Sequence, residues 1–266
     1  MQLHSVVQAL DSIWPLSDKE DWDRPGLMLG RGEQQIHKVL LSVDITSEVV
    51  NQAIEVGANL IISHHPMFLR GVHDLAETGF RGANAAKAIR NDVAIYAAHT
   101  NADFQELGVT NSLARAIGLT RLQPMDLVSG HGAIGELDNE LTLVEFGRLI
   151  AKQLPAVAAG VKVAGDADRI VKKVAVLGGA GDSYLNLALD SDVDVYVTSD
   201  LRHHPAQDFK EQSKLAGGPA LIDIAHWAAE WMWLDQAALQ LSKLLSDCEI
   251  LVSDINTDPW DFAVMQ

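Results

Sequence analysis

Twice in this chain an apolar run gives way to two adjacent histidines and a proline. Asn59 to Ser63 reads as a short buried strand between the turn residues Gly57 and Pro66, and it delivers His64 and His65 at its carboxyl end. Val193 to Thr198 reads as a second such strand, with His203-His204-Pro205 shortly after it. The surroundings repeat as well. Val39 to Val43 and a helix over Glu48 to Val56 precede the first pair; Val174 to Leu177 and a helix over Tyr184 to Leu189 precede the second. Val93 to Ala98 ends in His99 with Asp103 beyond it, and Leu221 to Ala225 ends in His226 with Glu230 beyond it, each acid four residues after its histidine. Strands alternating with helices predict an α/β fold. Duplicated with a period of about half the chain, the pattern predicts two similar, intertwined α/β half-domains packed around one cleft. The first half covers 1–122; the second covers 123–266 and includes the connecting segment.

In open α/β sheets ligands bind beyond the carboxyl ends of strands. Pro66 biases His65 toward extended backbone, where neighbouring side chains point opposite ways, so His64 and His65 can face different ligands. The plainer alternative, two histidines capping a strand by hydrogen bonds, is weakened by the recurrence. His226 and Glu230 fall one turn apart on one helical face, where a carboxylate and an imidazole can bind a cation or each other. Imidazoles and carboxylates without a thiolate suit zinc, manganese, iron or cobalt. Trp227, Trp231 and Trp233 read as core or rim packing. Gly178-Gly179-Ala180-Gly181-Asp182 lacks the spacing of a dinucleotide fingerprint or a P-loop and reads as a tight βα turn rather than a phosphate cradle. The acids of the loop Glu20 to Gly26 could border a site, with a solvated, hydrogen-bonded turn as the plainer reading.

The rest of the chain bounds the partners. A formal net charge of −16 argues against nucleic acid or an anionic membrane. The single cysteine, Cys248, excludes an internal disulfide and a cysteine-rich zinc site, and suits a reducing cytoplasm. Leu3, Val6, Val7 and Leu10 predict an amphipathic helix rather than a signal peptide, and no apolar run reaches the length of a membrane span. Helices are expected over Arg81 to Arg90 and Thr110 to Ile117. Thr120 to Gly135 is expected to be the connection between halves. Thr142-Leu143-Val144-Glu145 is a capping box that opens a helix ended by Pro155.

Several of these stretches together resemble the Nif-three-like dinuclear-metal proteins, many of which carry the name GTP cyclohydrolase 1 type 2 homologue. The resemblance runs over essentially the whole length. It is carried by Trp22-Asp23 with Gly26-Leu27, Asp44-Ile45-Thr46, Ile61 to Pro66, Ala98-His99-Thr100-Asn101-Ala102-Asp103, Gly181-Asp182, Thr198 to His204, and Ala225 to Glu230. It implies a duplicated α/β fold with mixed sheets and two divalent metal ions in the cleft between the halves. The implied ligands are His64, His65, Asp103, His226 and Glu230, with Glu230 shared by both ions. It also implies a ring-shaped homohexamer, a trimer of dimers. Long members carry an inserted domain for which this chain is too short. Ser199 and Ala225 stand where the family usually has glycine, and Ala102 where leucine is common; none is a ligand.

The activity so implied is hydrolytic opening of the GTP imidazole ring with release of formate, by a metal-activated hydroxide. The substrate is an anionic small molecule, and His203 or His204 is the catalytic candidate for proton transfer, with orientation of ligands as the plainer role for both and for His99. A metal-dependent phosphoesterase would use the same site. A metal carrier or a protein-interaction scaffold is the non-enzymatic alternative.

Overall fold

A computed structural model of the chain describes residues 1–103 and 105–264. In chain order the elements are α1 (Leu3–Ile13), β1 (Gly26–Leu29), β2 (Lys38–Ser42), α2 (Ser47–Glu55), β3 (Leu60–Ser63), α3 (Phe80–Arg90), β4 (Ala94–Ala97), α4 (Thr100–Asp103), α5 (Val109–Ala116), β5 (Leu119–Pro124), β6 (Ala133–Thr142), α6 (Leu143–Gln153), β7 (Lys162–Ala164), β8 (Ile170–Ala180), α7 (Leu185–Asp190), β9 (Val195–Ser199), α8 (His203–Ala216), β10 (Ala220–Ile224), α9 (His226–Leu244) and β11 (Glu249–Val252). They form two compact units, one of residues 1–105 and 234–257, the other of 106–233 and 258–266, so the dividing line falls inside α9.

The first unit holds a mixed sheet in the order β1-β4-β3-β2-β11. β4, β3, β2 and β11 run parallel and β1 closes one edge antiparallel to β4. Parallel neighbours need a crossover, and α2 and α3 supply it between β2 and β3 and between β3 and β4. Their Val49, Val50, Ala53, Ala85 and Ala88 pack on Leu40, Ile61 and Ile95, one from each central strand and aligned in register. β3 and β4 are buried throughout, as expected of strands covered on both faces. The same register aligns Ser42, Ser63 and Ala97 at the carboxyl edge. Whatever follows those residues is delivered to one place.

The second unit repeats the plan. Its sheet has the order β5-β6-β8-β9-β10-β7, with β8, β9 and β10 parallel and β7 antiparallel on β10, as β1 is on β4. Leu185 and Ala188 of α7 and Phe209 of α8 pack on Ala175, Tyr196 and Leu221. Ala180, Ser199 and Ile224 share the carboxyl edge. The duplication is therefore one of strand order and direction, not only of sequence.

One expectation is corrected. The segment from Thr120 to Gly135 is not a mere connection: it lies largely in the antiparallel pair β5 and β6, closed by a turn in which Asp126 accepts from the Val128 N–H and the Ser129 hydroxyl. Four of the six β5 residues are exposed or nearly so on both faces, so no apolar alternation announces the strand. The capping box is present as expected: the Thr142 hydroxyl accepts from Glu145 N, and Glu145 accepts from Thr142 N at 2.8 Å.

Candidate metal centre

Three histidines emerge at the carboxyl edge of the first sheet. His64 and His65 follow β3 directly and His99 lies two residues past β4. Their ring centroids are 5.1 to 5.5 Å apart, and each offers a nitrogen within 4.8 Å of the others'. Each ring is held through Nδ1. His64 Nδ1 meets the Ala98 carbonyl at 2.9 Å, His65 Nδ1 the Asp44 carboxylate at 2.7 Å, and His99 Nδ1 the Asp23 carboxylate at 2.7 Å. Carbonyls and carboxylates accept, so the proton sits on Nδ1 and the lone pair on Nε2. Asp103, on the short α4 that begins just after His99, brings Oδ1 to 3.7 Å from His64 Nε2.

The holders are held in turn. Asp44 also accepts from the Thr257 hydroxyl at 2.5 Å. Asp23 is fully buried and accepts from Arg24 N, His99 Nδ1, Thr100 N and the Thr100 hydroxyl. Burial works to raise its pKa, but the hydrogen bonds from His99 and Thr100 outweigh it and bring it down to about 2. It therefore stays a carboxylate and fixes the His99 tautomer.

The second unit carries the matching pair. His226 opens α9 two residues past β10, as His99 stands two past β4, and Glu230 lies four further on, as Asp103 does. His226 Nε2 and Glu230 Oε1 are 2.8 Å apart, and His226 Nδ1 meets Asp200 Oδ2 at 2.9 Å. Burial opposes the charged imidazole, yet Glu230 and Asp200 together raise its pKa well above the usual value. Gly179 lies against this pair with φ +82°, and a Cβ there would sit 3.0 Å from Glu230 Oε1. The glycine run is thus a matter of close packing. A Cβ on Gly181 would run into the Thr198 and Tyr196 hydroxyls, which instead donate to the carbonyls of Gly179 and Gly181 at 3.1 Å each.

His64 and His65 thus come together with Asp103, and His226 with Glu230. His203 and His204 are exposed in the first turn of α8, rings 5.2 Å apart, next to Arg202, which pairs with Asp182. Register makes Ser199 the counterpart of Ser63. The residue equivalent to His64 is therefore Asp200, with φ +56°, and not His203. The resemblance of the two His-His-Pro tripeptides is offset by three residues relative to the strands that precede them. Sequence reasoning did not assign Asp23, Asp44 or Asp200 to the site. Asp44 and Asp200 had a usable signal, standing just past a strand end; Asp23 had only its place in the Trp22-Asp23 stretch that carries the resemblance, in a loop outside the repeats.

The donor arrangement can be compared with known proteins. The family model for Duf34/NIF3 (NGG1p interacting factor 3) matches residues 1–259. The chain belongs to the Duf34/NIF3 family. Among relatives of this family, a Streptomyces coelicolor protein named GTP cyclohydrolase 1 type 2 homolog is 39% identical over 97% of this chain and 93% of its own length. A Clostridium perfringens protein of the same name is 32% identical over 98% of this chain and all of its own. In structure, a Bacillus cereus protein related to NIF3 matches with a TM-score of 0.90 at 25% identity, and a Staphylococcus aureus hypothetical protein with 0.89 at 30%, each covering 99% of both chains. The NIF3 fold therefore spans this chain with its two-sheet architecture intact. Among the described residues, no helix is long and apolar enough to cross a membrane.

Proposed function

We propose that this chain is a divalent-metal-dependent hydrolase acting on a nucleotide, with GTP ring opening and formate release as the reaction that its relatives' name points to. The observation that supports it is the anchoring of His64, His65, His99 and His226, each by Nδ1 on a carbonyl or carboxylate. Histidines that bind metals are characteristically oriented this way, the other ring nitrogen facing the ion; in His226 that nitrogen faces Glu230, and an ion would take the place of its proton. The donor set fits such ions: imidazole and carboxylate without thiolate suit zinc, iron, manganese or cobalt.

In this reading His64, His65, Asp103, His226 and Glu230 would hold two ions, with Glu230 shared. When bound, such ions supply a nucleophile from water at neutral pH and stabilise negative charge on the substrate. The protein supplies orientation. Asp44, Asp23 and Asp200 lock the tautomers of His65, His99 and His226, and His99 walls the first group. His203 or His204 handles a proton; what supports this is their exposure and their residue type rather than equivalence to the first pair. The chain assembles as a homohexamer in this reading, and light scattering that gives a monomer mass at all concentrations would remove that part.

The deciding experiment is elemental analysis of metal-replete protein joined to a formate-release assay with GTP and a screen of phosphoesters. Two ions per chain with formate release are expected. One ion or none removes the dinuclear centre. Stoichiometric metal with no turnover replaces the hydrolase by a metal carrier, and turnover of phosphoesters alone replaces the ring opening. Single His203→Ala and His204→Ala variants should keep their metal, and at least one should lose roughly a hundredfold in turnover. Full activity in both would make the pair structural.

A further inference from the structure

We propose that Trp22 is the platform on which this site stacks the nucleobase of its ligand. The inference rests on the nucleotide reading above and adds to it the residue that recognises the ring. Trp22 is 57% exposed. Single exposed aromatic residues are ordinary on protein surfaces, so exposure alone carries nothing. Its place and its rigidity distinguish it.

The indole lies against the donor group, its ring centroid 5.7 Å from that of His99 with the planes at 81°. An edge-to-face contact of this kind fixes the ring while leaving much of its surface in water. The backbone beneath is tied down on either side. Asp23, the next residue, is buried with its carboxylate accepting from Arg24, His99 and Thr100. Glu20 N donates to the Thr100 hydroxyl at 3.0 Å, and Asp23 N to the Glu20 carbonyl at 3.0 Å. The Arg24 guanidinium donates to the carbonyls of Asp21 at 3.1 Å and Asp23 at 2.6 Å. A loop so bonded holds the backbone of Trp22 in place, and the edge contact with His99 sets its ring. It presents a large flat π-surface in a fixed place beside His99, which is what a planar heterocycle needs in order to dock without a further ordering cost. The charge of the molecule points the same way. At a net −16 the surface gives phosphates little help outside the cation site, so the uncharged ring must carry a share of the affinity.

Base–aromatic stacking is worth roughly fivefold to a hundredfold in affinity. The test is calorimetric titration of metal-replete protein with GTP, with guanosine, which keeps the ring and lacks the phosphates, and with inorganic tripolyphosphate, which lacks the ring. Trp22→Ala should weaken GTP and guanosine by at least about fivefold and leave tripolyphosphate within about twofold; Trp22→Phe should recover most of the loss. Thermal melting checks that both variants fold. Equal weakening of GTP and tripolyphosphate would make Trp22 a support for its loop and overturn the proposal. So would unchanged GTP affinity, wild-type protein that binds neither GTP nor guanosine, or a change in assembly mass with GTP binding intact, which would assign the ring to contact with another copy. The hydrolase reading fails separately: GTP held through Trp22 without any formate release keeps this inference and removes that one.

Discussion

At the scale of single residues, what prepares this site is the second nitrogen of each histidine. A ring held at Nδ1 has lost most of its rotational freedom before any ion arrives, and its holder decides which nitrogen would face the ion. Asp44→Ala and Asp200→Ala should therefore weaken metal binding about 10- to 100-fold while the protein stays folded, measured by competition with a chelator. Asp23→Ala should behave differently. Its carboxylate satisfies four donors inside the first unit, so the variant should lose about 3 kcal/mol or more of stability in urea unfolding, beyond any loss of metal. Gly179→Ala combines a disfavoured φ of +82° with a Cβ 3.0 Å from Glu230 Oε1. It should cost more than about 1 kcal/mol and release metal from the His226–Glu230 pair first; normal stability and metal content would show that the turn can yield. Of these residues the sequence exposes the ligand types readily, because histidine pairs after apolar runs are conspicuous. It hides their supports, since Asp23 in Asp21-Trp22-Asp23-Arg24 looks like any polar turn until its burial is seen.

At the scale of elements, identical tripeptides play different parts. Pro66 stands three residues past the end of β3, whereas Pro205 lies in the first turn of α8, where a missing backbone N–H costs nothing. Local sequence could not separate these cases, because the difference lies in where the preceding strand stops. β9 ends at Ser199 and three residues intervene before α8 begins. The parallel strands except β11, and most helices, were readable from their apolar runs and periodicity; β5 and β6 were not, since β5 is largely solvated and shows no apolar alternation. The capping box of α6 was readable because its chemistry is local. Thr142→Ala should destabilise the protein by about 1 kcal/mol without altering metal content, as seen by urea unfolding alongside metal analysis.

At the scale of the whole molecule, a bound ion is part of the folding equilibrium. Protein loaded at a hundredfold over its dissociation constant gains about 2.7 kcal/mol per site, so stripping with a chelator should lower the melting temperature by roughly 5–10 °C for each site emptied. No change on stripping would mean that the donors are not engaged. The last strand adds a consequence of another kind. β11 lies beside β2 in the first sheet, yet more than two hundred residues of chain separate them, Lys38 pairing with Glu249. During synthesis β2 emerges as an open parallel edge, and its partner follows only after some two hundred further residues of chain. Until then that edge is available to any extended chain nearby, and the growing polypeptide must rely on helpers or on speed to avoid sticking.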